Sequence, residues 1–192
     1  AGTVFSTTVG DTTFQFSTIE AFTKSNTGNS IPFVGVDIYE GTFITTRYTV
    51  DSSDIDQRFL LTDNRADTST LIVKVQTSST DSTSTTFTEA TDITQVTAGS
   101  NVFFLQEVEA GLFEVYFGDG VIGTALSDDN IVILTYVVSN KSAANGASLF
   151  TNVASIASVT DISVATAATA SAGSEPESLS SIKYNAPLDF AS

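Results

Sequence analysis

Apolar and hydroxyl side chains alternate along most of this chain, and a period of two leaves room for little but β-structure. In the stretch Thr12 to Thr18, Phe14 and Phe16 share one face, while Thr13, Gln15 and Ser17 share the other. With Thr3 to Val9 before it, this predicts a hairpin around Gly10-Asp11. Phe33 to Tyr39 and Thr42 to Val50 predict a second hairpin around Glu40-Gly41, with Phe43, Thr45, Arg47 and Thr49 on one face of its second strand. Pro32 marks the start of that element, because proline cannot donate within a central strand.

Further strands are expected at Arg58 to Thr62, Leu71 to Gln76, Asn101 to Gln106, Leu112 to Phe117 and Ile131 to Val138, the third and fourth joined by a turn at Ala110-Gly111. Leu71 to Gln76 and Ile131 to Val138 are apolar on nearly every residue, as in strands covered on both faces. Roughly ten strands with turn signals every 8 to 12 residues predict an antiparallel β-sandwich. Composition agrees. Thr (30) and Ser (25) take the surface role, charged residues fall to 15%, and the 14 Phe are the bulky filler for a core without Trp or Met. Thr is β-branched and suits strands. The Ser/Thr tract from Thr77 to Thr86 reads as an exposed loop.

The last forty residues differ. Val153 to Val164 keeps a strand-like rhythm, and Ala165 to Gly173 has little to bury. Ser174-Glu175-Pro176-Glu177 is a helix-start pattern, with a capping Ser, a first-turn Pro and a Glu that closes a capping box. It predicts one short helix from Glu175 to about Asn185, ended by Pro187 and presenting Leu179 and Ile182 on one side. A helix of that length is marginal alone and needs something to dock on.

The 192 residues allow one large domain or two small ones. With no Cys and no His, disulfides, thiolate zinc sites, imidazole bases and Ser-His catalysis are excluded. A net charge of −15 opposes binding to nucleic acid and to anionic membranes, and leaves room for a basic protein partner. No apolar run approaches the roughly 20 residues of a membrane-spanning helix. The chain opens on Ala1 with no signal-peptide pattern, so either an initiator Met was removed or the chain is an internal piece of a longer protein.

Two acidic loops have the composition of a calcium site, Asp51-Ser52-Ser53-Asp54-Ile55-Asp56 and Ser127-Asp128-Asp129-Asn130. Neither has EF-hand spacing, and solvated turns closed by Asx hydrogen bonds are the plainer reading, so no metal or cofactor is assigned. Glu114 and Asp119 are the carboxylates nearest in sequence to a glycosidase-like pair. Gly118-Asp119-Gly120 between apolar runs is first of all a turn, and no nucleophile has an activating partner. No catalytic residue, small-molecule substrate or enzymatic function is expected.

Phe117-Gly118-Asp119-Gly120, Gly123, Leu126, Asn130-Ile131, Leu134-Thr135-Tyr136 and Asn145 occur in an order that resembles the baseplate J-like family of contractile phage tails. So do Glu177-Ser178-Leu179 with Ile182-Lys183-Tyr184-Asn185-Ala186-Pro187, and the opening Gly2-Thr3-Val4-Phe5 followed by Phe14-Gln15-Phe16-Ser17-Thr18. Arg58-Phe59-Leu60-Leu61 and Asp67-Thr68-Ser69-Thr70-Leu71-Ile72-Val73 resemble its wedge-protein branch. The resemblance spans nearly the whole chain, and it implies an internal fragment, since family members begin before and continue beyond these motifs.

The resemblance implies a structural protein of the virion tail baseplate, present in the host cytoplasm during assembly. Its partners would be copies of itself and other wedge components, and it would take part in baseplate rearrangement on host attachment. The implied fold is a β-domain inserted into a second domain, and the chain's own layout matches it with a β-sandwich domain (31–145) inserted into a smaller β-rich unit (1–30 with 146–173), followed by a helix and tail (174–192). Gly118, Asp119, Gly120 and Gly123 would set a hairpin before the central strand, and Leu179 and Ile182 would dock on a neighbouring chain or subunit. The competing expectation is a secreted all-β adhesin domain that binds Ca²⁺ through Asp51, Asp54 and Asp56. A carbohydrate-binding module is disfavoured by the missing Trp.

Overall fold

The computed structural model describes residues 1–25, 28–177 and 179–190. The alternating segments become eleven strands among the described residues: β1 (Val4–Val9), β2 (Thr12–Ser17), β3 (Tyr39–Glu40), β4 (Thr42–Thr49), β5 (Phe59–Leu61), β6 (Ala66–Gln76), β7 (Ser84–Glu89), β8 (Val102–Glu107), β9 (Phe113–Phe117), β10 (Ile131–Val138) and β11 (Thr151–Asn152). One helix, α1 (Leu179–Phe190), follows. A four-stranded sheet has the order β11-β1-β2-β3, and a seven-stranded sheet the order β4-β10-β6-β7-β8-β9-β5. The chain is mainly β with one short C-terminal helix, as its periodicity predicts.

β7 folds the larger sheet onto itself. Its first half, Ser84–Phe87, pairs antiparallel with β6, and Thr88–Glu89 pair in parallel with β8. A strand that changes partners midway turns one sheet into two facing layers. Between them lie Phe59, Leu61, Val73, Phe87, Phe103, Val115, Val132, Leu134 and Tyr136, all buried. Phe117 packs edge-on against both Phe59 and Phe87. Each such side chain contributes about 1.5–3 kcal/mol when fully buried.

β10 is the middle of this arrangement, flanked by β4 and β6 in one-to-one antiparallel register over most of its length. Its inward residues fill the core, yet Ile131, Ile133 and Val137 on the other face are also nearly covered. Arg47 Nη1 on β4 donates to Gln76 Oε1 on β6 at 3.2 Å, so the two side chains arch over the strand between them. Where β6 bulges, Thr70 fills the gap. Its hydroxyl accepts the Val137 N–H at 2.9 Å and donates to Asp67 O at 2.7 Å.

The short edge strand β5 is closed by side chains. Phe59 and Leu61 pair with β9, which turns the polar groups of Leu60 and Thr62 outward. Tyr48 Oη donates to Leu60 O at 2.6 Å, and Tyr136 Oη accepts the Thr62 N–H at 3.2 Å. Two tyrosines from the opposite layer thus take the Leu60 carbonyl and the Thr62 amide, two of the groups that would otherwise invite another strand.

The smaller sheet begins with the expected hairpin, β1 on β2 around Gly10 at φ 59°. β11 adds to its far side, and Phe16, Phe14, Ala144 and Ala147 form a second small core. Glu40 links the sheets by accepting both the backbone N–H and the side-chain amide of Asn140, each at 2.7 Å.

Three expectations about strands and loops are corrected. The chain does not reverse at Glu40-Gly41: β3 pairs with β2, and β4 runs on to pair with β10. Gly41 is there because a Cβ would lie 2.2 Å from Val138 O, so it permits a close backbone approach. The Ser/Thr tract is a loop only as far as Thr83, since Ser84 begins β7. Val153 to Val164 forms no strand. Its apolar residues recur every third position, and only Ile156 and Val159 exchange backbone bonds, around Ala157 and Ser158 at φ 49° and 69°.

The helix begins at Leu179, and Pro187 lies within it. Glu175 is held away, paired with Lys141 at 3.4 Å and accepting from Ser142 Oγ. Glu177 accepts from Ser181 Oγ and Asn185 Nδ2, and supports the helix from outside.

Candidate functional site

The Gly118–Gly123 segment is a closed turn. Asp119 Oδ1 accepts the N–H groups of Val121 and Ile122 at 2.9 and 3.0 Å, and Gly120 N–H donates to Gly123 O at 3.0 Å. Those bonds hold the Asp119 carboxyl below the usual carboxylate range, the Ile122 amide contributing most. Gly120 and Gly123 have φ of 87° and 83°, and a Cβ on Gly118 would meet Ile122 O at 2.2 Å. The expected hairpin is corrected, because β9 and β10 are not neighbours in the sheet. The turn carries the chain from the β9 layer toward β10, anchored by Gly123 N–H to Thr97 O and by Thr124 N–H to Ser100 O. All four residues take part in the geometry of this turn.

The paired-carboxylate reading finds two carboxylates in different company. Glu114 faces Arg58 at 3.6 Å, whereas Asp119 is engaged with backbone amides. Arg58 also sits 4.7 Å from the ring centre of Tyr116, which stacks on Phe104 across β8 and β9 at 5.1 Å. This half-exposed ladder escapes the sequence, because Arg58, Phe104 and Tyr116 meet only through strand register.

The structure brings the two acidic loops together. Ser52 N–H donates to Asp128 Oδ1 at 2.9 Å, and Val50 exchanges backbone bonds with Asp129 and Asn130. Asp51 accepts from Ser53 N and Oγ, and Asp54 accepts from Asp56 N. The Ser53 hydroxyl does most to lower the Asp51 carboxyl. An open cleft of about 170 Å³ lies beside them, lined by Asp51, Asp54, Arg58 and Leu126. Among the described residues no three acidic side chains are grouped closely enough to hold a metal ion.

Ile182 on α1 is 43% exposed and Tyr184 is 74% exposed, while the side chain of Leu179 lies outside the described residues. The segment leading to the helix is fastened to the body. Asn145 donates through Nδ2 to Gly173 O at 2.8 Å and accepts the Gly173 N–H at 3.1 Å. Gly146 and Ala147 pair with Ala170 just before. No family model matches the chain, and a search of curated proteins finds no relative.

Proposed function

We propose that the chain is a non-catalytic structural component of a contractile phage tail baseplate, a wedge-type piece acting through contacts with copies of itself and with other wedge components. Its place is the virion tail, with the host cytoplasm as its site of assembly. The ordered motifs from Gly2-Thr3-Val4-Phe5 to Asn185-Ala186-Pro187 supply the family side of the reading.

The observation that supports it most is the make-up of the smaller sheet. β1 and β2 precede the seven-stranded body in the chain and β11 follows it, so the body is an excursion from a unit that both flanks complete. In this reading residues 1–30 and 146–173 are the outer unit, 31–145 the insertion, and 174–192 a helix and tail. Tyr39–Glu40 is the part of the insertion that still pairs with the outer sheet. The exposed face of α1 docks on a neighbouring subunit, which gives a helix of this length the packing it needs.

The test is the coding sequence on either side of Ala1 and Ser192. Long coding extensions at both ends, without a signal peptide and among tail genes, are the expected result. A signal peptide upstream, or repeated copies of this domain downstream, would overturn the reading in favour of a secreted adhesin.

A further inference from the structure

The two edges of the larger sheet are finished differently. β5 is three residues long; Tyr48 takes its outward Leu60 carbonyl, and Tyr136 takes the amide of Thr62 just beyond it. β4 is eight residues long and, among the described residues, pairs only with β10. Val50 both donates to Asn130 O and accepts from Asp129 N. By the alternation of an antiparallel ladder, Phe43, Thr45, Arg47 and Thr49 therefore turn their N–H and C=O groups away from β10. At one end Gln57 Nε2 takes Thr49 O at 3.2 Å, and at the other Gly41 N–H bonds to Gln15 O at 2.8 Å. Between them no hydrogen bond among the described residues reaches the outward backbone of Phe43, Thr45 or Arg47. An open edge of this kind is a template for another strand.

We infer that this edge pairs with the same edge of a second copy, β4 against β4 in antiparallel register about a two-fold axis at Thr45. Charge selects the occupant. The chain carries −15, yet residues 42–49 contain no carboxylate, and their one charge, Arg47, has no acidic partner among the described residues. Two acidic copies meet here with little repulsion.

Register selects the axis. Centred on Thr45, the three open residues of each copy satisfy one another, Thr faces Thr, and each Phe43 faces an Arg47, both favourable cross-strand pairs. A centre at Arg47 would oppose two guanidinium groups. A centre at Thr46 would need the Thr49 carbonyl that Gln57 already holds. The contact is isologous and closes at two copies. It names a surface for the self-association in the baseplate reading and rests on that reading for its setting.

Because the chain has no Cys, Thr45→Cys places a single thiol on the axis, with the two Cα atoms about 5.5 Å apart and within disulfide reach. Thr49→Cys, on the same face, would lie about 27 Å from its mate by strand rise. With folding verified by circular dichroism, mild oxidation should dimerise Thr45→Cys at least about tenfold faster than Thr49→Cys. In sedimentation equilibrium, Thr45→Lys, which opposes two ammonium groups, should weaken the unmodified chain's dimer about tenfold or more. Equal oxidation rates in a chain that still self-associates would overturn the β4 contact and leave self-association to another surface. A chain that sediments only as monomer would overturn both.

Discussion

Replacing Tyr136 by Phe deletes one oxygen from a ring with no exposed surface, and the loss falls on the edge of β5. Tyr136 Oη accepts the Thr62 N–H at 3.2 Å and lies 3.3 Å from Thr62 Oγ1. The phenyl ring keeps the packing between the layers, so cavity terms are nearly absent and the change isolates the hydrogen bond. A buried donor left without an acceptor costs about 1–3 kcal/mol. The Thr62 amide is only partly buried and its bond is long, which places the expected cost at about 1–2 kcal/mol. For a chain of this length that lowers the melting temperature by about 2–8 °C. Urea unfolding gives the free energy, and amide hydrogen exchange gives the location. Exchange at Thr62 should quicken beyond the global change, while Leu61, on the side paired with β9, follows only the global change. A variant within about 0.3 kcal/mol of the parent, with Thr62 exchange unchanged, would refute the idea that tyrosine hydroxyls close this edge.

Other outcomes follow from the turn and the C-terminal fastening. Gly118→Ala pushes a methyl into the Ile122 carbonyl and should cost more in urea unfolding than Gly120→Val, which should itself cost above about 1 kcal/mol through its positive φ; equal, negligible costs would contradict the geometry. Asp119→Asn keeps an acceptor for Val121 and Ile122 but no longer titrates. Because the folded-state pKa of Asp119 is lowered, its contribution is complete above the usual carboxylate range and is lost as pH falls through that lowered value. The parent should therefore exceed the variant in stability by a constant margin from neutral pH down to about 5, and the margin should close below about pH 4. A margin unchanged to pH 2 would count against it. Gly173→Ala sets a Cβ 2.2 Å from Lys141 O and should release the fastening. Limited proteolysis would then cut 153–172 faster while the seven-stranded body keeps its melting point, and unchanged cleavage would show that the segment is held elsewhere.

Where a single local signal controlled structure, the sequence was readable. The β1–β2 hairpin follows from alternation on either side of Gly10-Asp11, and β10 follows from a run that is apolar at every position but Thr135. Glycine is the hardest residue to place, because it serves two purposes that look alike in sequence. At Gly10 it supplies a turn, whereas at Gly41 it lets the backbone of β10 pass closely where the chain bends from β3 into β4. Gly118-Asp119-Gly120 lies in a closed turn, but the strands on either side belong to distant positions in the sheet. The meeting of Asp128 with Ser52, the Arg58–Tyr116–Phe104 ladder and the tyrosine closure of β5 depend on pairings between residues up to 76 apart, which no local pattern encodes. In the terminal segment, Glu175 satisfied a capping pattern but found Lys141 on the body, and the helix started later.

The central claim, a structural place in a contractile tail, is tested most directly by locating the chain on particles. Contractile-tailed particles from the source organism would be labelled with gold-conjugated antibody raised against residues 1–192 and viewed by negative-stain electron microscopy. Gold confined to the tail end distal to the head, in rotationally repeated positions, is the predicted result. Gold on the outer surface of cells, with tails unlabelled, would contradict it and identify a surface protein instead.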